Sequence, residues 1–422
     1  MRSPVALMIT LCLGLIACGE NQYNEVTLMP SPVAFTSGAL DPFHGHGEKE
    51  LIGHTTLFYA TDRAPATPDD ASDFYANRRG HLLRVGVATV NMTPRIKSWA
   101  EFKDITLAEN REIERTLSVT AVEELGPLPV TSPNPLITPP PADTLARVHR
   151  DFRDSINRQL AASGGQDAVI YVHGYNVDFE YPTLISQELQ HFLGYKGAFI
   201  SYNWAATPRR TAYFKDLETA NATRKNLRVL IEFLAQETDV RRIHLIGYSA
   251  GSRLAFEATY QLALKHKSNP SNAKLGQVIL VGSDLDRTYF AEAIGDGLLD
   301  IMDHLSIYMS SSDSALGMSR LVFGRHRLGQ IGDNSEESRA LEHRLIDVPK
   351  VSLIDVTDAP GAALGNGHWY FRSSPWTSSD IFLSLLKGSP PAKRGLERTP
   401  DSAVWHFPKD YPDRILRLSS GM

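Results

Sequence analysis

Ile243-His-Leu-Ile-Gly-Tyr-Ser-Ala-Gly251 joins a short apolar run to a serine flanked by glycines two positions either side. Leu254, Ala258 and Leu262 then recur every four residues. The run has the length and branching of a buried strand, and the spacing after it is that of an amphipathic helix. A serine on so tight a strand-to-helix turn is held in a strained backbone conformation, and only very small side chains fit two residues before and after it. The bare G-x-S-x-G pattern is weak. A strand before it and a helix after it make it strong.

The same alternation extends in both directions from this turn. Upstream, Ala168–Val172 and Ala198–Tyr202 are continuous apolar runs suited to parallel strands covered on both faces. Leu145, Val148, Phe152, Ile156 and Leu160 keep helical spacing until Gly164-Gly165 stops them. Helical patterns also span Leu184–Leu193 and residues 227–234. Downstream, Gln277–Val281, His304–Met309 and Val351–Val356 read as further strands. Strand and helix in this rhythm predict an α/β fold: a mostly parallel central sheet with helices on both faces. Before it, His54–Ala60 and Leu82–Val90 read as two strands. The stretch 126–141, with seven prolines, reads as an extended connection.

The 422 residues are 42% hydrophobic and 22% charged, enough for a large core. Net charge is −5, and no block of Lys or Arg stands out, which argues against nucleic acid as a partner. The two cysteines, Cys12 and Cys18, both precede the body, so a disulfide framework, a zinc ribbon and a cysteine nucleophile are excluded for it. No nucleotide fingerprint is present, and the chemistry below requires neither cofactor nor metal.

Ser249 needs a base, and the base needs an acid. In open parallel sheets functional groups collect at the carboxyl ends of the strands. Asp313, four residues past Met309 in the polar run Ser310–Ser314, is the favoured acid, with Asp284 as runner-up. Asp286, Asp355 and Asp358 also follow strands. Of 14 histidines, His368 is the favoured base, because Gly365-Asn-Gly-His-Trp-Tyr-Phe371 is a loop that can carry the ring over the sheet edge. His244 lies inside a strand. His44, His46 and His54 lie in or near the segment before the first strand, and His44 and His46 lack the further ligands a metal site needs. Two backbone donors are expected for a developing oxyanion: the N–H of Ala250 and that of Tyr175, in the loop His173-Gly-Tyr-Asn176. His173 is expected to buttress that loop. Tyr175, Tyr202, Trp204, Trp369 and Tyr370 fit an aromatic substrate pocket or simple core packing.

These residues resemble the α/β-hydrolase superfamily, and more narrowly a bacterial esterase- or lipase-like family listed mainly as a domain of unknown function. The matching features are Leu57–Arg63, His173–Asn176, Ser201-Tyr-Asn-Trp204, Gly247–Gly251, Ser283-Asp-Leu-Asp286, Asp313 before Ala315-Leu316, and His368 before Trp369-Tyr-Phe371. Within Ser201-Tyr-Asn-Trp204, Asn203 intervenes where an aromatic is expected. The resemblance implies the hydrolase fold, a serine nucleophile and a triad in the chain order Ser249, Asp313, His368. A small ester or acyl compound is the expected substrate, with an esterase ahead of a peptidase or acyltransferase using the same parts. The reading from a different class is a non-catalytic envelope lipoprotein, whose mark would be a broken triad.

The N-terminus reads as an address. Arg2 precedes the apolar run Val5–Ala17, too short for a comfortable membrane span. Leu15-Ile-Ala-Cys18 resembles the lipobox of bacterial lipoproteins, which implies lipidation of Cys18. Gly19, in place of the aspartate that retains such proteins at the inner membrane, points to the outer membrane. The expected organisation is therefore a signal over 1–17, a flexible tether over 18–50, the body over 51–388, and a C-terminal tail over 389–422 whose aromatics pack back on the body. No protein partner is legible.

Overall fold

A computed structural model describes residues 24–44, 56–70, 72–128, 135–268, 275–324, 327–331 and 336–420. The signal, Cys18, His46 and His54 lie outside them. Of the described helices, none is long and apolar enough to cross a membrane.

In chain order the strands are β1 (Val26–Thr27), β2 (Thr56–Pro65), β3 (Tyr75–Thr93), β4 (Thr116–Pro127), β5 (Asp167–Val172), β6 (Ala198–Tyr202), β7 (Arg242–Tyr248), β8 (Leu275–Val281), β9 (Met302–Met309), β10 (Val351–Asp355), β11 (Glu397–Arg398) and β12 (Val404–His406). They form one twelve-stranded sheet in the order β1-β4-β3-β2-β6-β5-β7-β8-β9-β10-β12-β11. Every neighbouring pair from β2 to β12 is parallel. β3, β4 and β1 extend one edge antiparallel, and β11 closes the other.

Alternate residues of one strand feed two cores. Ile170 and Val172 of β5 face the helices Ala142–Ser163, Tyr213–Glu237 and Ala250–Ser268, where Phe152, Leu230 and Leu254 are buried. Val169 and Tyr171 face the other side, with Leu189 of the helix Glu180–Phe192 and Phe382 of the helix Pro375–Lys387. Covering both faces removes each strand side chain from water, worth about 1.5–3 kcal/mol per large apolar residue. Ala142–Ser163 ends where expected, on Gly164 in the left-handed conformation.

Three expectations about the periphery are corrected. Within the stretch read as a tether, residues 24–44 pack onto the body. Val26 and Thr27 pair with Leu117 and Thr116, the Met29 amide donates to Glu188 at 2.6 Å, and Phe35 stacks between Phe192 and Phe382. The proline-rich connection begins later than expected: Gly126 and Pro127 pair with Val85 and Arg84 at the end of β4. Proline is tolerated there because β1 covers only Thr116 and Leu117, so the outer side of Pro127 has no strand to bond. The tail is part of the domain, since β12 continues the parallel sheet beyond β10.

A buried ion pair fastens that tail. Arg394 grips Asp380 with Nε at 2.7 Å and Nη2 at 3.0 Å, and the Tyr308 hydroxyl donates to the same carboxylate at 2.6 Å. All three side chains are buried. One carboxylate thus ties the helix Pro375–Lys387, β9 and the C-terminal segment together. Loss of either charge would strand the other, at a cost of about 3–5 kcal/mol.

Candidate active site

β7 ends at Tyr248, Ser249 stands alone, and the helix Ala250–Ser268 starts at the next residue. Ser249 has φ 54°, the left-handed conformation that a side chain rarely adopts. The turn is held by the Ser249 amide donating to the Val281 carbonyl at 2.9 Å and by the Ser252 hydroxyl donating to the Ser249 carbonyl at 2.6 Å. Both flanking glycines are sterically required. A Cβ on Gly251 would lie 2.2 Å from the His173 carbonyl oxygen and 2.3 Å from that of Val172, and one on Gly247 would lie 2.7 Å from Ser252 Cα.

That close approach brings the loop after β5 against the serine. A Cβ on Gly174 would sit 3.1 Å from Ser249 Cβ. The Trp204 indole donates to the His173 carbonyl at 2.7 Å, and the His173 ring stacks on Trp204 at 5.1 Å and 5°. Burial pushes the His173 pKa down to about 3, so it stays neutral, with Nδ1 placed to donate to the Gly174 carbonyl at 2.7 Å. Arg63, fully buried, adds donors to the Val177 and Asp178 carbonyls at 3.1 and 3.0 Å. Gly174, the neighbour of Tyr175, therefore lies against Ser249, and Ala250 follows the serine at the head of a 19-residue helix.

His368 Nδ1 lies 2.6 Å from Asp313 Oδ2, and both residues are buried. The second oxygen of Asp313 accepts from the Leu316 amide at 3.0 Å, capping the helix Ser314–Phe323, so the carboxylate is held from both sides. The His368 amide donates to the Asn366 side chain at 3.2 Å. The ring lies 5.0 Å from that of Tyr248, and a Cβ on Gly282 would come within 2.8 Å of its Cε1. Gly282 directly follows Val281, the residue bonded to the Ser249 amide. Ser249, His368 and Asp313 thus converge at the carboxyl ends of β7, β8 and β9. Among the described residues no hydrogen bond joins Ser249 Oγ to His368.

The other aspartates are engaged elsewhere. Asp284 receives the hydroxyls of Tyr213 and Ser319 and pairs with Arg327 at 3.3 Å, away from His368. Asp286 caps the helix Arg287–Gly295, Asp355 bonds Thr357, and Asp358 is exposed. His244 accepts the Gln277 amide at 2.9 Å inside the sheet. Of the aromatics, Tyr202, Trp204 and Tyr370 are fully buried packing residues, while Tyr175 and Trp369 keep partial exposure. Asn203, the departure after Ser201, is buried and donates to the Phe179 carbonyl and Thr183 hydroxyl. Tyr370 does more than pack: its hydroxyl takes the Gly282 amide at 2.5 Å and donates to the Tyr308 carbonyl at 2.9 Å, locking the strand ends beneath His368. Nothing in the sequence distinguishes that hydroxyl from an ordinary core tyrosine.

A family model described as "Alpha/beta hydrolase of unknown function (DUF900)" matches residues 149–383, more than half of the chain. No curated protein and no solved structure matches.

The neutral His173 makes stability pH-dependent. Its pKa is lowered on folding, so the unfolded chain binds the extra proton, and stability is lost as pH falls from about 6.5 toward 3. This group alone removes about 3 kcal/mol by pH 4. His173→Asn, whose amide can still donate to the Gly174 carbonyl, should show a shallower acid slope in denaturant titrations. Parallel slopes would assign the acid sensitivity elsewhere.

Proposed function

Since the chain belongs to this family of α/β hydrolases of unknown function, we propose that it uses the hydrolase scaffold as a serine hydrolase cutting carboxylic esters through an acyl-enzyme. The observation that carries this reading is the buried His368–Asp313 pair at 2.6 Å, converging with a serine held at φ 54°.

Each part has a task. Ser249 Oγ attacks the ester carbonyl carbon and its proton passes to His368 Nε2, the nitrogen that Asp313 leaves free. The new imidazolium is stabilised through Nδ1–H by Asp313, which stays ionised. Negative charge building on the carbonyl oxygen meets the N–H groups of Ala250 and Tyr175 and the positive end of the helix Ala250–Ser268. The intermediate collapses, His368 returns the proton to the departing alkoxide, and the alcohol leaves. Water then attacks the acyl-serine with His368 as base, restoring Ser249 and releasing the acid.

The envelope setting belongs to the same proposal. It rests on Leu15-Ile-Ala-Cys18 at the end of an apolar run, which would place a lipid on Cys18 and the hydrolase domain at the outer membrane. Labelled palmitate should enter the wild-type protein and not Cys18→Ser; equal labelling would remove the lipid anchor from the account.

Hydrolysis of p-nitrophenyl esters of graded acyl length tests the chemistry. Ser249→Ala should fall to background, and Asp313→Asn should lower kcat by about 10⁴ with its fold intact. A folded wild type inert toward every ester, or Ser249→Ala as active as wild type, would refute the esterase reading.

A further inference from the structure

The motif Ser283-Asp-Leu-Asp286 has no part in the triad, yet Asp284 is buried at the same end of the sheet as Ser249. The Ser283 hydroxyl lies 2.9 Å from that of Ser252, three residues past the serine. Asp284 gathers side chains from three separate segments. The Tyr213 hydroxyl, at the start of the helix Tyr213–Glu237, donates to Oδ2. The Ser319 hydroxyl, from the helix Ser314–Phe323, donates to Oδ1 at 2.5 Å, and Arg327 pairs with the same oxygen at 3.3 Å. Tyr213 also lies 3.1 Å from Ser319 Oγ. Burial and the adjacent carboxylate push the Tyr213 pKa up, so its hydroxyl stays a donor. A buried carboxylate with this many donors holds its partners in place, and here it holds a ring.

That ring stands beside the reacting serine. It meets Tyr175 edge to face at 5.1 Å and 70°, and both tyrosines are only partly buried. Tyr175 follows Gly174, where an added Cβ would sit 3.1 Å from Ser249 Cβ. Both tyrosines pack against the core on the face of the sheet that carries the helices Tyr213–Glu237 and Ala250–Ser268. His368 leans toward the opposite face: its ring lies 5.0 Å from that of Tyr248, which belongs to the second core together with the adjoining Trp369. A departing alcohol must lie beside His368 to be protonated. The acyl half of a bound ester therefore points to the other face, toward Tyr175 and Tyr213.

We propose that Tyr213 is a specificity-determining residue of this site: held by Asp284 and Ser319, its ring closes the acyl subsite and restricts the enzyme to esters of short-chain acids. The inference rests on the serine-hydrolase reading above and adds the substrate class to it. A longer chain would have to displace the ring, break its buried hydrogen bond to Asp284 and unseat it from Tyr175.

The test is kcat/KM of the full chain in detergent for p-nitrophenyl acetate, butyrate and octanoate, with Ser249→Ala as the background. Wild type should favour acetate or butyrate over octanoate by at least about tenfold. Tyr213→Ala should raise the ratio of octanoate to acetate by at least about tenfold. Asp284 keeps Ser319 and Arg327 in that variant, so its carboxylate is not stranded. Tyr213→Leu, which keeps apolar bulk at the position, should move the ratio in the same direction, and it decides the matter if Tyr213→Ala does not fold. A wild type that favours octanoate would overturn the assignment and leave the hydrolase reading intact. So would Tyr213 variants that lose activity equally on all three esters, the mark of a merely structural role. Absence of Ser249-dependent turnover of any ester would refute the hydrolase reading and this inference with it.

Discussion

The backbone of Gly251 passes so close to the carbonyls of Val172 and His173 that no side chain can stand between them. That contact locks the turn after β7 onto the loop after β5, and the remaining geometry follows from it. Ser249 is forced into a left-handed conformation, and Gly174 comes to rest against the serine. The strain is sustained because the surroundings over-determine it: the Val172↔Gly247 register, the Val281 carbonyl on the Ser249 amide, and Trp204 beneath His173 all hold the same arrangement.

Legibility in the sequence followed burial. The strands β5 to β10 are covered on both faces, so their side chains are nearly all apolar and their runs stand out, as in Ala168–Val172 and Gln277–Val281. The helix Ala142–Ser163 was legible for the complementary reason, one buried stripe at helical spacing and a glycine stop. What escaped was held by contacts that leave no period. Val26–Thr27 and Val404–His406 are too short to show one, and β4 is buried only near its ends, with Glu123 and Glu124 exposed between them. Residues 24–44 look like linker in composition, yet Phe35 and Phe43 are anchored in distant pockets that only the folded body creates.

The candidate site shows the same division. Ser249 and His368 announce themselves through the glycines around them, which a turn and a reaching loop demand. Position in the sequence favoured Asp313 and kept Asp284 as runner-up, because both follow strands in polar loops. The structure separates them by company: Asp284 is enclosed by Tyr213, Ser319 and Arg327, while Asp313 meets an imidazole and a helix amide.

Whether Ser249 is an activated nucleophile decides what this site does. The most direct measurement is fluorophosphonate labelling of the folded full chain, with the modified residue located by mass spectrometry. A single phosphonyl group on Ser249, absent from Ser249→Ala and strongly slowed in His368→Ala, is the predicted result. A folded wild type that never labels, or label persisting in Ser249→Ala, would contradict it.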